Sequence, residues 1–206
     1  MTQHTINSVE ELRTVYGKVS PRAAQKAIPK LEKHARNFIA HSPFLVLSSA
    51  AGDGTADVSP KGDAPGFVHV IDDNTIAIPD RPGNNRIDTL QNILENPNVA
   101  AIFMIPGVRE TLRVNGKAEI STDPELLAAM AVNGKTPITA IVIHVEQTFL
   151  HCAKCIIRSK LWDDDHRPEK GAIPTLSRMI ADQVGMEIDE AESEKLLEQA
   201  YRDRLY

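Results

Sequence analysis

The sequence predicts a mainly β fold, a small antiparallel barrel of six to seven strands with flanking helices, and three observations lead there. Short apolar and β-branched runs recur between residues 43 and 146, separated by Gly, Pro, Asp and Asn. Two of the separators, Asp53-Gly54 and Asp72-Asp73-Asn74, are hairpin punctuation, so neighbouring strands run antiparallel. No strand is regularly followed by its own crossover helix, as a doubly wound sheet would require.

Taken in order, residues 1–40 read as helix. Ser8 and Glu11 have capping-box spacing ahead of Leu12, Val15 and Tyr16, and beyond Pro21 and Pro29 a second run places Leu31, Ala35, Phe38 and Ile39 on one face. These helices are expected to form an outer layer. The barrel, residues 43–146, begins with β-like runs at Phe44–Ser49, Thr55–Ser59, Phe67–Ile71 and Thr75–Pro79. A helix beginning near Arg86 carries Ile87, Leu90, Ile93 and Leu94 at helical spacing. Strands Val99–Ile105 and Thr111–Ile120 follow, then a helix with Pro124 in its first turn and Leu126, Leu127 and Met130 facing inward. Ile138–Val145 is the last strand, rich in β-branched residues. Residues 147–206 read as a helical region, with one helix from about Phe149, another over Thr175–Val184 stopped by Gly185, and a last one carrying Leu196, Leu197, Ala200 and Tyr201. No linker divides the chain, so a single domain over 1–206 is expected.

Composition narrows the function. Over 206 residues, apolar side chains make up 42% and charged ones 25%, enough for a self-sufficient core. Aromatics are only 4% and the net charge is −5, with no dense basic block, so neither nucleic acid nor an anionic membrane is an expected partner. Met1 to Leu12 is too polar and acidic for a signal peptide, and the longest apolar run, Val99–Ile105, is far too short to span a bilayer. A cytoplasmic location follows as an expectation. The two cysteines, Cys152 and Cys155, lie too close together to close a useful disulfide loop, which suits a reducing compartment.

Three segments carry polar or cationic groups beyond what a plain strand or turn needs. In Asp57-Val58-Ser59-Pro60-Lys61-Gly62-Asp63, Pro and Gly constrain the backbone while Ser59 and Lys61 offer a hydroxyl and a cation; the plainer reading is a polar hairpin loop. In Pro79-Asp80-Arg81-Pro82-Gly83-Asn84-Asn85-Arg86, two arginines stand beside a helix amino terminus, a suitable clamp for a phosphate dianion. The plainer reading is an exposed capping loop whose arginines pair with Asp80 and Asp88. In Glu110-Thr111-Leu112-Arg113-Val114-Asn115-Gly116, alternation places Thr111, Arg113 and Asn115 on one side, either a ligand-binding face or the wet face of an antiparallel strand.

Two further features are weaker. Cys152 and Cys155 have C-x-x-C spacing, but no thioredoxin-like βαβ unit surrounds them and no second Cys or His pair stands at zinc-ligand spacing. Asp163-Asp164-Asp165-His166 reads as a solvated loop before it reads as a cation site.

In this order the segments resemble the flavin-binding split-barrel family of pyridoxamine 5'-phosphate oxidase-like proteins, in particular its subgroup of FMN-dependent enzymes. The resemblance runs through Asp57–Asp63, Pro65-Gly66-Phe67, Ile78–Arg86, Ile105-Pro106-Gly107 and Glu110–Gly116 to His151-Cys152-Ala153-Lys154 and Arg158-Ser159-Lys160-Leu161-Trp162. It implies a homodimer with FMN at the subunit interface. Ser59 and Lys61 would lie along the isoalloxazine and ribityl chain. Asn84, Asn85 and Arg86 would form the phosphate-binding turn, with Arg81 nearby. Thr111 would hydrogen-bond toward the flavin ring, with Arg113 on the same face, and Lys154, Arg158 and Trp162 would approach from the second subunit. Independently, a helix from about Phe149 would gather His151, Lys154, Cys155 and Arg158 on one cationic face, or point them at water.

The implied activity is a two-electron oxidoreductase acting on a small molecule, with Lys61 and Arg113 stabilising the reduced flavin. The competing implications are a protein that sequesters flavin or haem without turnover, and a deazaflavin in place of FMN. The chain ends Tyr201-Arg202-Asp203-Arg204-Leu205-Tyr206, without the Arg-Leu-x-Pro type segment of members that oxidise pyridoxamine phosphate, so vitamin B6 specificity is not implied.

Overall fold

A computed structural model describes residues 4–203 and 205–206 of the chain, so the first three residues of the expected helical stretch and Arg204 of the terminal segment lie outside the described residues. Three helices come first: α1 (Val9–Tyr16), α2 (Pro21–Gln25) and α3 (Lys33–His41). Ser8 caps α1, its hydroxyl accepting from the Glu11 amide at 3.1 Å. Neither α1 nor α2 has a buried residue, whereas α3 buries Ala35 and Ile39.

Seven strands follow: β1 (Phe44–Ala50), β2 (Ala56–Gly62), β3 (His69–Val70), β4 (Thr75–Asp80), β5 (Asn98–Met104), β6 (Thr111–Ser121) and β7 (Thr139–His151). They form one sheet in the order β2-β1-β5-β6-β7-β4-β3, and every neighbouring pair is antiparallel. Helix α4 (Asp88–Glu95) connects β4 to β5, and α5 (Pro124–Ala129) connects β6 to β7. After β7 come α6 (Lys154–Ser159), a 3-10 turn (Asp164–His166), α7 (Leu176–Val184) and α8 (Glu190–Asp203). The antiparallel split barrel with flanking helices expected from the sequence is the fold observed.

The core lies where the curled sheet meets α3 and α4. Leu31, Ala35 and Ile39 pack with Leu45, Leu47, Ile76, Ile78, Phe103, Ile141 and Ile143. Strand β4 and the first half of β7 (residues 140–143) are buried on both faces, because Ala77, Ala140 and Val142 look outward onto Leu126, Leu127 and Met130 around α5. Near-continuous apolar runs such as Ile141-Val142-Ile143 are what such doubly covered strands need.

Three boundaries depart from the sequence reading. The expected strand Phe67–Ile71 shrinks to His69–Val70. The second strand runs to Gly62, so Ser59, Pro60 and Lys61 are strand residues and not a hairpin loop. Pro60 is tolerated there because β2 is a sheet edge and its missing N–H costs no ladder bond. The last strand runs to His151, six residues beyond Val145. Its far half pairs with β6 alone, and its free edge is met by Ile28, which exchanges two backbone hydrogen bonds with Thr148, at 2.8 and 3.0 Å. A bulge at Asn115/Gly116 marks the change of register.

Candidate functional site

Alternation along β2 turns Asp57, Ser59 and Lys61 to its half-buried side, while Ala56, Val58, Pro60 and Gly62 face out. The Lys61 ammonium donates to Asp80 Oδ1 at 3.0 Å, and both side chains are only 19% exposed. Asp80 closes β4, and the chain then crosses a loop in which Asn85 (φ 58°) and Ile87 (φ 54°) are left-handed. Asparagine adopts that region readily, but for a β-branched isoleucine it stores strain on the order of 1–3 kcal/mol. Ile87 is also the N-cap of α4, and no side chain caps the helix there. Asp88, Thr89 and Leu90, its first turn, line the same cleft as Lys61.

That cleft has a volume of about 830 Å³, within the usual range for a small-molecule or cofactor site. It brings together six residues singled out from the sequence: Ser59, Lys61, Arg81, Asn84, Asn85 and Arg86. The cations are all engaged by carboxylates. Arg86 Nε donates to Asp88 Oδ2 at 2.9 Å on an exposed surface, and this bond raises the guanidinium pKa further. Arg81 is more deeply held: its Nε and Nη2 both reach Asp63 Oδ2 at 2.9 Å, and Nη2 also donates to the Met130 carbonyl at 3.0 Å. Asp63 receives a third partner, the Tyr206 hydroxyl at 2.7 Å, and the Arg81 guanidinium lies 5.5 Å from the Tyr206 ring centroid. Burial alone would raise the Asp63 pKa. The bonds from Tyr206, the Ala64 amide and Arg81 outweigh it, holding the carboxyl below its ordinary 3.8.

The other five predicted residues lie away from the cleft lining of the same chain. Thr111 and Arg113 share a face of β6 as alternation required, opposite His151 and Phe149. The Arg113 guanidinium sits 4.4 Å from the Phe149 ring centroid, and its Nε is buried without a partner. Lys154 and Arg158 are on α6, and Trp162 follows it, its indole N–H donating to the Val108 carbonyl at 2.8 Å. The expected single cationic face over His151, Lys154, Cys155 and Arg158 does not form, since His151 ends a strand and the helix starts only at Lys154. The backbone partners on β6 extend β7 past the point where the sequence reading began the helix. Cys152 and Cys155 are free thiols, and Asp164 in the 3-10 turn pairs with Arg167 at 2.7 Å.

Sequence reasoning passed over Asp57, Thr89 and Tyr206. Period-two alternation from Ser59 and Lys61 would have found Asp57. Nothing local connects Tyr206 to Asp63, 143 residues away. Among the described residues no helix is long and apolar enough to cross a membrane.

Residues 31–152, more than half of the chain, match the pyridoxamine 5'-phosphate oxidase family. No curated protein matches. Among solved structures, HupZ of Group A Streptococcus is 20% identical, covering 58% of this chain and 92% of its own, with a TM-score of 0.48. A putative pyridoxamine 5'-phosphate oxidase of Lactobacillus delbrueckii is 20% identical over 59% and 95%, also at 0.48. General stress protein 26 of Bacillus anthracis is 17% identical over 57% and 93%, at 0.41. On the extent of the family match, this chain belongs to the pyridoxamine 5'-phosphate oxidase family, a flavin-binding family that includes oxidoreductases.

Proposed function

We propose that the protein is an FMN-dependent oxidoreductase that moves two electrons between a small molecule and the flavin, working as a homodimer in the cytoplasm. One observation carries this reading: a single cleft of about 830 Å³ collects Lys61, Ser59, the Asn84-Asn85-Arg86 turn and the uncapped start of α4. The donors there suit a phosphate ester. Amide hydrogens at a helix start, two carboxamides and a guanidinium offer directional bonds and positive potential. FMN, when bound, supplies the redox chemistry.

The residues of this chain supply grip and polarity. Arg86 is 73% exposed and held by Asp88 alone, so an incoming phosphoryl group can replace that carboxylate at little cost to the fold. Lys61, less exposed, places a positive charge within the cleft where the flavin body is proposed to lie. Arg81, fastened to Asp63 and Met130, has a holding role in this reading. The dimer draws support from the outer face of the β2-β1-β5 edge. There Pro60, Val46 and Ile102 lie side by side, with Phe44 opposite Met104 and with Val58 and Ile102 exposed. A contiguous apolar sheet face of this kind is a typical subunit contact. Association through it is proposed to bring Lys154, Arg158 and Trp162, and Thr111 with Arg113, toward the partner's cleft.

The test is calorimetric titration of the apoprotein with FMN and with riboflavin. Arg86→Ala should weaken FMN about tenfold or more while leaving riboflavin nearly unchanged. Equal loss for both, or loss for neither, places the phosphate elsewhere. Turnover is separated from sequestration by colour: the yellow holoprotein should bleach with a small-molecule or nicotinamide reductant and recover with an acceptor.

A further inference from the structure

The C-x-x-C pair, which the cleft does not use, sits where a strand turns into a helix: β7 ends at His151 and α6 begins at Lys154, with Ala153 as its N-cap. Both thiols are free and exposed. The turn that carries them is held from both sides. Before it, His151 pairs with Thr111 of β6. After it, Ile156 is buried, the Ile157 amide donates to the Ala153 carbonyl at 2.9 Å, and Trp162 is fastened to the Val108 carbonyl.

Because peptide units are planar, the distance between the two Cα atoms is set by the dihedral angles of the residues between them, Ala153 and Lys154. Ala153 stands at φ −65° and ψ −7° and Lys154 is helical, so Cys152 and Cys155 have their Cα atoms about 5–6 Å apart, as residues three apart in a helical turn do. Disulfides span roughly 4.4–6.8 Å between Cα atoms, and a bridge therefore closes here without moving the backbone. The attacking sulfur is also aimed. A hydrogen bond from the Lys154 amide draws the Cys152 sulfur over the first turn of α6, and this bond, with the charges of Lys154 and Lys26, outweighs desolvation and holds the thiol pKa below its ordinary 9.0. Among the described residues no group of His, Cys, Asp and Glu completes a metal site around the pair. A loop of four residues gains the least from closure, and an exposed bridge of that kind is one made and broken by exchange.

We propose that Cys152 and Cys155 form a thiol–disulfide exchange site for small-molecule disulfides, with Cys152 attacking and Cys155 resolving. The Cys152 thiolate attacks one sulfur of the incoming disulfide; a mixed disulfide forms on Cys152, the old sulfur–sulfur bond breaks, and one small thiolate leaves. Cys155, deprotonated to water, then attacks the Cys152 sulfur, closing the 152–155 bridge and releasing the second small thiolate. The two cysteine protons pass through water to the two departing thiolates. One small disulfide is thereby reduced to two thiols while the protein dithiol loses two electrons, and excess small thiol runs the sequence backwards. The site does not rest on the flavin assignment.

The test uses the reduced full chain and glutathione disulfide. Samples are quenched with acid at intervals, their remaining thiols capped with N-ethylmaleimide, and the intact mass read. Wild type should end with neither maleimide nor glutathione attached, its two cysteines bridged within one chain, and excess glutathione should restore both maleimide sites. Cys155→Ser should stop at a glutathione adduct on Cys152, and Cys152→Ser should form its adduct about fivefold or more slowly. Both positions are exposed, so serine is accommodated at either, and the wild-type result needs neither variant. Wild type that remains a dithiol, that accumulates the adduct as Cys155→Ser does, or that bridges two chains instead of one overturns the proposal, as does adduct formation on Cys155 as fast as on Cys152.

Discussion

The two hollows along β7 solve opposite electrostatic problems. In the cleft each cation has a carboxylate within hydrogen-bonding distance: Lys61 with Asp80, Arg81 with Asp63, Arg86 with Asp88. The second hollow, a cavity of about 490 Å³ lined by Lys26, Ile28, Leu112 and Thr148–Cys152, has no such pairing: Lys26 faces the Phe149 ring, as does Arg113 beyond the lining, and next to it the Thr148 hydroxyl and a His151 nitrogen are buried with no hydrogen-bond partner among the described residues. An anion entering the cleft must therefore exchange with a carboxylate, which makes its grip sensitive to salt and to the geometry of one surface pair. Lys26 holds no carboxylate to be displaced, and the fold already carries the desolvation of the two unpartnered polar atoms beside the cavity. The difference shows that counting cations around a hollow says little about its readiness for anions until their partners are known.

The comparison breaks most completely at Gly116. Thr139 lines the cleft and Thr148 to Cys152 line the cavity, so one strand serves both, and the bulge at Asn115/Gly116 separates its two halves. A Cβ at Gly116 would stand 2.1 Å from the His144 carbonyl oxygen, and backbone on that side has no room to yield. Gly116→Ala should cost about 3 kcal/mol or more, read as a lower urea midpoint. A loss below about 1 kcal/mol would show that the strands slide freely there and that the hollows are not mechanically joined.

Asp63 sharpens the comparison on the cleft side. Its side chain is 2% exposed and its pKa is held below the ordinary 3.8. The sign follows from linkage: the folded form holds the proton less tightly than the unfolded one, so the stabilisation is whole above pH 4 or so and fades as pH falls through the depressed value. Asp63→Asn should lose about 3 kcal/mol at neutral pH, because it leaves Arg81 buried without its counter-charge. The gap from the wild type should narrow on acidification below about pH 4. Urea midpoints from pH 7 to pH 2.5 check it. A constant gap across that range would mean that Asp63 acts by packing and not by charge.

How far these features were legible in the sequence depends on how local their causes are. The strands that hold the core, such as Ile141-Val142-Ile143, announce themselves by composition, and Leu126, Leu127 and Met130 do face inward as their spacing demands. The segments holding Ser59 with Lys61 and Arg81 with Arg86 were each legible, but only the family resemblance joined them, and the cleft they share depends on the sheet. The strand that Pro60 appeared to end was not legible, because a proline is harmless only on an edge, and edge position is a property of the whole sheet. The continuation of β7 to His151 depends on Ile28 and on β6, and the hold of Tyr206 on Asp63 spans 143 residues. No window of sequence contains either cause.

The smallest expected effect is the most discriminating for the cavity. Thr148 and Ser42 are equally buried hydroxyls, 2% and 1% exposed. Ser42 Oγ lies 2.8 Å from the Phe44 carbonyl oxygen and 2.7 Å from that of Met104, and Ser42→Ala should cost about 1–2 kcal/mol. Thr148→Val removes a hydroxyl that satisfies nothing and replaces it with a methyl group of the same shape, so ligand-free stability should stay within about 0.5 kcal/mol of wild type or rise. Chemical denaturation of the two variants side by side gives the contrast. If Thr148→Val costs as much as Ser42→Ala, its hydroxyl has a partner in solution, and the contrast with the cleft disappears.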